Sequence, residues 1–328
     1  MVFMMSCFSR SIRTVIVLTV AAPLAASCGN LGGSNSDKPR VIAGFYPFAY
    51  VAERVAGEHA TVTNLTTPGV EPHDLELTPQ QVAEISDADL AIHEAGFQPY
   101  LDDAIEQNPP HDTLEVSKVL ELSETRLAED TEDGQQDDHE IHPDESADVD
   151  HSSHDGDPHL WQDPTLLIPV AEQLADDLAS ADPDHAADFK ANAAAFVKDL
   201  RELDQDFEAG LADCERREIV TSHAAFGYLA DRYDLTMIPI AGLSPDVEPS
   251  PQRLAEIQDL VETHNITTIF SETLGSKEYA QTLADDLGVT AAVLDPVEGL
   301  AEDGSGEEDY LSLMRANLAV LQEANNCT

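Results

Sequence analysis

The sequence predicts an α/β protein of two similar lobes, each a parallel sheet flanked by helices, joined by a long rigid helix. Three observations predict it. Short β-branched runs alternate with amphipathic helical stretches, that alternation occurs twice, and a helical stretch rich in Ala, Leu, Asp and Glu separates the two sets. The 328 residues suit two domains of roughly 130–150 residues, each able to bury a core.

The chain opens with an export signal over 1–27. Arg10 and Arg13 precede an apolar run from Val15 to Ala26, shorter than the ~20 residues a spanning helix needs. The small residues Ala25-Ala26-Ser27 before Cys28 resemble a bacterial-type lipobox, with Cys28 the lipidated mature N-terminus. Leu24 stands one position earlier than the usual leucine, and an ordinary cleaved secretory signal is the alternative. A flexible tether is expected over 28–40.

The N-terminal lobe is expected over 41–164. Its strand candidates are Val41–Phe45, Ala60–Thr66, Asp89–Glu94 and Thr113–Val116; its helix candidates are Pro47–Gly57, Thr78–Ile85 and Tyr100–Gln107. A linking helix is expected over 165–211, because Leu167, Val170, Leu174 and Leu178, then Phe189, Ala193, Phe196 and Leu203, recur at helical spacing. Pro183 should kink or divide it. The C-terminal lobe, 212–328, carries strand candidates Glu218–Ser222, Leu235–Ile240, Thr267–Phe270 and Ala291–Leu294. Its helix candidates are Ala224–Tyr233, Pro251–Thr263, Ser276–Leu287 and Tyr310–Ala324.

With 16 Lys and Arg against 64 Asp and Glu, the net charge is −48. Such a polyanion repels phosphate backbones and anionic lipid, which excludes nucleic-acid binding and leaves the lipid anchor as the one expected link to a membrane. Either solvation in high salt or a cation-rich working environment would account for the acidity. Thirteen acidic residues and His139, His142, His151 and His154 fall within 129–157, with no Lys or Arg. That segment cannot bury apolar surface and is expected to be a disordered loop whose imidazoles serve auxiliary metal capture. Cys7 leaves with the signal and Cys28 takes the lipid. Cys214 and Cys327 remain, and in an oxidising compartment the default is a disulfide.

Three further histidines stand just after strands or at a lobe's mouth: His73 in a Pro-rich turn, His159 before the linking helix beside the single Trp, and His223 after an apolar strand. Alone, each is compatible with an ordinary core or surface histidine. Loops at the carboxyl ends of parallel strands converge on ligands, so the three together point to a metal in the interlobe cleft. His93 reads as structural, and His59, His111, His185 and His264 as surface residues.

These residues also carry a resemblance. Gly69-Val70-Glu71-Pro72-His73 with Leu77-Thr78-Pro79, then Asp157-Pro158-His159-Leu160-Trp161-Gln162-Asp163-Pro164, then Thr221-Ser222-His223-Ala224-Ala225-Phe226-Gly227-Tyr228, resemble the signature blocks of the metal-binding lipoproteins of ABC importers. Ser244–Pro251, Ser271–Leu274 and Val293–Leu300 continue the match in order, over 41–324. The acidic His-rich segment and a histidine at 223 place the chain closest to the zinc, ZnuA-like branch; manganese-type members carry a carboxylate there.

The resemblance implies an extracytoplasmic protein that captures Zn²⁺ and delivers it to an ABC permease driven by a cytoplasmic ATPase. It acts as a monomer on the outer face of the cytoplasmic membrane, or in the periplasm if Cys28 is not lipidated. Its first three ligands are His73, His159 and His223. The fourth is Glu298 by preference, with Asp295, Glu71 or water as alternatives. Three imidazoles and one carboxylate suit tetrahedral zinc, whereas Mn²⁺ favours more oxygen. Glu71, Asp157 or Asp163 are candidate acceptors for the other imidazole nitrogens. No enzyme is expected: His-Glu-x-x-His, Gly-x-Ser-x-Gly and a P-loop are all absent. The competing reading is a secreted zinc hydrolase, which needs a ligand position open to water. A cell-adhesion role has been assigned to some relatives, but no residues here argue for it.

Overall fold

The computed structural model of the chain describes residues 38–121, 156–245, 247–274, 277–302 and 308–328. The expected signal peptide, Cys28 and most of the tether lie outside the described residues, as do His139, His142, His151 and His154.

The first four strands and their helices follow the expected order: β1 (Arg40–Ala43), α1 (Tyr46–Ala56), β2 (Thr61–Asn64), α2 (Pro79–Ser86), β3 (Leu90–His93), α3 (Pro99–Gln107), β4 (Thr113–Glu115) and a helical segment over 116–121 (α4). Local signals set the ends. Thr78 and Gln81 form a capping box that starts α2, and proline stands in the first turn of α1, α2 and α3, where a missing N–H costs nothing. The strands pair in parallel in the order β2-β1-β3-β4.

The expected linking helix is two helices. α5 (Leu167–Ala181) ends at Asp182, Pro183 opens a short 3-10 turn, and α6 (Ala186–Gly210) folds back along α5, with Lys190 Nζ 2.9 Å from Asp176. Proline removes one helical hydrogen bond and clashes with the preceding turn, so it divides the stretch. The 25-residue α6 is the long helix of the fold.

After it come β5 (Glu218–Thr221), α7 (Gly227–Arg232), β6 (Thr236–Pro239), α8 (Pro251–His264), β7 (Thr268–Ser271), α9 (Glu278–Leu287), β8 (Thr290–Val293) and α10 (Tyr310–Asn325). The second sheet, ordered β6-β5-β7-β8, repeats the first. α7 starts three residues later than the sequence suggests, because Ala224 N donates to Gly242 O (2.9 Å) and the backbone bends over 222–224 before the helix begins.

Side-chain alternation explains how both sheets are covered. In β1, Val41 and Ala43 join one apolar cluster while Ile42 joins another; in β5, Ile219 and Val220 divide the same way. The shared cluster runs through both lobes: Phe45, Phe48, Trp161, Phe196, Phe207, Phe226 and Tyr310 belong to it. α6 reaches both sides, through Arg54–Asp199 (2.5 Å) to α1 and Arg315–Asp206 (3.1 Å) to α10. One continuous core and one spanning helix make the pair of lobes stiff, unlike lobes joined by a few extended strands. Among the described residues no helix is long and apolar enough to cross a membrane.

Cys214 and Cys327 form a disulfide across a sequence separation of 113 residues, tying the end of α10 to the segment after α6. Replacing both by serine is expected to lower unfolding stability by roughly 2–5 kcal/mol in urea titrations, through the freed unfolded chain.

Candidate metal centre

Each residue of the site stands beside a short element or strand end, and specific hydrogen bonds hold the segments of His73 and His223. His73 lies in a short 3-10 turn, Pro72–Asp74, after β2. Buried Gln98 holds that turn by donating from Nε2 to Pro72 O (3.1 Å) and Thr66 Oγ1 (3.1 Å). Gly69, at φ +82°, makes the preceding bend with a backbone few side chains tolerate, and its N–H donates to Leu300 O at 2.7 Å. His159 stands before the 3-10 turn Leu160–Gln162. His223 follows β5, where Thr221 Oγ1 donates to its carbonyl at 2.7 Å. Glu298 follows β8. Three of the four therefore leave the carboxyl ends of strands, where parallel sheets bind ligands.

The four side chains converge. One donor atom from each of His73, His159, His223 and Glu298 lies within 4.8 Å of all the others. Glu298 Oε1 is 3.3 Å from His159 Nε2, 3.3 Å from His223 Nε2 and 3.8 Å from His73 Nε2. All three Nε2 atoms and both Glu298 oxygens are buried with no hydrogen-bond partner. Such orphaned polar atoms are costly unless something else binds them. Four ligands ~2.0–2.1 Å from a zinc ion stand ~3.3–3.4 Å apart along tetrahedral edges. Two of the separations match that figure and the third lies slightly outside it.

Two of the three remaining ring nitrogens are held by carboxylates. Asp157 Oδ1 is 2.7 Å from His159 Nδ1, and Glu272 Oε1 is 2.7 Å from His223 Nδ1; each also accepts from the same histidine's backbone N–H. An ionised carboxylate can only accept, so Nδ1 carries a hydrogen, and it is the Nε2 of the neutral ring that can offer a lone pair to an ion. Phe97 packs edge-on against the His73 ring at 4.5 Å and Trp161 lies 5.2 Å from the His159 ring, giving the site a dry wall.

Charge follows geometry. Burial opposes a charge on His223, but the Glu272 and Glu298 carboxylates outweigh it and push its pKa up to about 10. Burial likewise opposes charge on His159, where Asp157 and Glu298 win and raise it. Burial would raise Glu298, yet the three histidines hold it well below the usual carboxylate range. Glu71, pressed by burial and then by the Glu298 charge, rises to about 8.

Several expectations need correction. Asp295 is not among the converging donors: its carboxylate accepts from Thr273 Oγ1 (2.5 Å) and Val297 N (2.7 Å). Glu71 is not among them either, and Glu71 Oε1 meets the backbone N of His73 at 3.5 Å. Asp163 accepts from Thr165 N and Oγ1 and holds no imidazole. His93, by contrast, reads as structural in the sequence, and it stands outside the converging donors with Nδ1 3.0 Å from Asp102. Sequence reasoning missed Glu272 as the acceptor on His223; a carboxylate directly after the buried strand β7 was its signal.

Fold and site together define the class of two-lobed solute-binding proteins with an ion-sized polar site at the carboxyl ends of their strands. The chain matches the family described as "ZnuA: Zinc-uptake complex component A periplasmic" over residues 41–324, and it belongs to that family. That description names an extracytoplasmic transport component rather than an enzyme. A curated relative, zinc-binding protein AdcA of Streptococcus pyogenes serotype M3, is 36% identical over 300 residues, covering 87% of this chain and 56% of its own length. The chain thus spans little more than half of that relative. The high-affinity zinc uptake system protein ZnuA of Bacillus subtilis is 31% identical, covering 94% of this chain and 96% of its own. Among solved structures, the Zn(II)-bound ZnuA-like domain of Streptococcus pneumoniae AdcA superposes with a TM-score of 0.69 at 32% identity, over 88% of this chain and 99% of that one.

Proposed function

We propose that the chain captures Zn²⁺ outside the cytoplasm, holds it with His73, His159, His223 and Glu298, and delivers it to the permease of an ABC importer. The observation that carries this reading is the convergence of one donor atom from each of His73, His159, His223 and Glu298 within 4.8 Å of one another, all of them buried and without a hydrogen-bond partner. Three imidazoles favour zinc over manganese. Family membership and the zinc-binding names of its relatives support the same ion. Lipidation at Cys28 would keep the protein beside its permease and ATPase.

A fourth protein ligand leaves no position for a reactive water, which argues against a hydrolase. Titration of metal-free protein against a zinc chelator should give one tight site per chain, with Mn²⁺ displacing zinc only in large excess. No zinc-dependent ester hydrolysis should accompany it. Tight manganese binding with weak zinc binding would overturn the assignment.

The acidic, His-rich segment would raise local cation concentration near the site. Its removal is expected to slow zinc capture in stopped-flow mixing and to leave the tight site's affinity unchanged. The deletion has to end at Asp155, because Asp157 holds the His159 ring. Loss of tight binding on deleting 129–155 would place a ligand in that segment instead.

A further inference from the structure

The backbone just before Glu298 is in an unusual state. Val297 has φ +56° and is fully buried, a left-handed conformation that a β-branched side chain rarely takes. Something must impose it, and the surrounding hydrogen bonds show what does. The Pro296–Val297 peptide is gripped on both edges. Its N–H donates to Asp295 Oδ1 at 2.7 Å, and Asp295 is itself held by Thr273 Oγ1 and by Asn317, whose Nδ2 donates to Asp295 O at 2.6 Å. Its carbonyl accepts twice, from Trp161 Nε1 at 2.8 Å and from Gln162 Nε2.

Both donors sit in the 3-10 turn that follows His159, and both side chains are fully buried. Trp161 is fixed in turn by Tyr310 Oη, which donates to its carbonyl at 2.6 Å. One short segment thus supplies an imidazole directly and grips the turn that supplies the carboxylate.

We propose that Trp161 and Gln162 are positioning residues for the carboxylate ligand. By clamping the Pro296 carbonyl they hold Val297 in its strained backbone, and so aim Glu298 at the three imidazoles. The inference rests on the zinc reading of the site and deepens it. Without the clamp the peptide is free to rotate toward an unstrained conformation, which carries Glu298 away from His159 and His223. The metal would keep three imidazoles and lose its carboxylate for part of the time.

The test is a double-mutant cycle on the full chain, with zinc affinity from chelator competition and coordination from the visible absorption of the Co²⁺-loaded protein. Gln162→Met keeps the side chain's length and removes its donor; Trp161→Phe keeps a ring among Phe45, Phe48 and Phe97 and removes its donor. Each is expected to weaken zinc binding about 10- to 100-fold, as removal of ligand-orienting groups does. The Co²⁺ band should shift toward that of Glu298→Ala. In the Glu298→Ala background, Gln162→Met should change affinity by less than about twofold, because the group it positions is gone.

Equal losses in both backgrounds would make the residues merely structural and overturn the proposal. So would zinc binding that is sensitive to Glu298→Ala yet indifferent to both clamp variants. A wild-type chain that takes up no zinc, or a zinc affinity unmoved by Glu298→Ala, would instead remove the reading of the site itself.

Discussion

His223→Ala is expected to weaken zinc binding by roughly a hundredfold to a thousandfold. A tight four-ligand zinc site is worth on the order of 10–16 kcal/mol, so each of the four ligands accounts for about 2.5–4 kcal/mol. His223 is the member whose loss should be felt most cleanly. It is fully buried, and its partner Glu272 would be left as a buried carboxylate facing an apolar methyl. Glu272→Gln should cost less, about 10- to 100-fold. The glutamine keeps the shape, but its amide nitrogen can face Nδ1 as a donor and favour the hydrogen on Nε2, the wrong tautomer for binding an ion. Chelator competition on both variants gives the ranking, with circular dichroism confirming that each is folded. Equal effects for the two, or a His223→Ala protein with wild-type affinity, would remove His223 from the coordination sphere.

The fold was legible because its signals are local. Strand–helix alternation, Pro at helix starts and the Thr78–Gln81 capping box act within a few residues, and strand ends fell close to their expected positions. Pro183 divided the long stretch as proline must. The return of α6 along α5 was not legible, because it depends on which faces meet rather than on spacing. The same line separates the parts of the site. His73, His159 and His223 stand in distinctive local sequences, so the residues announce themselves. Choosing Glu298 over Asp295 requires knowing that Thr273, Val297 and Asn317 already hold the latter. Glu272 lies 49 residues from its imidazole and Trp161 lies 135 from the carbonyl it grips. Long-range hydrogen bonds of this kind leave no periodicity in a sequence.

Zinc binding at pH 7 is expected to expel protons, because protons occupy the cluster when the ion does not. The sign follows from the direction of each shift. Zinc requires a neutral Nε2 on His223, yet the Glu272 and Glu298 carboxylates hold that imidazole protonated up to about pH 10 in the metal-free protein. At pH 7 nearly every metal-free molecule therefore carries this proton, and each zinc ion must displace it. His159, raised by Asp157 and Glu298, adds to the release. Glu71 adds more, since a cation beside Glu298 cancels the charge that helped to raise it to about 8. Apparent affinity should then climb about tenfold per pH unit for each proton displaced. The climb should continue well above pH 6.5, where the ordinary histidine value alone would have it level off. Calorimetry in two buffers of different ionisation heat counts the protons directly; one or more per zinc at pH 7 is the expected result. A count near zero, with flat affinity between pH 6.5 and 8.5, would mean that the imidazoles are already neutral. Glu298→Gln supplies the internal check. Removing that charge takes away part of what raises both histidines, so the variant should bind zinc more weakly but with fewer protons released.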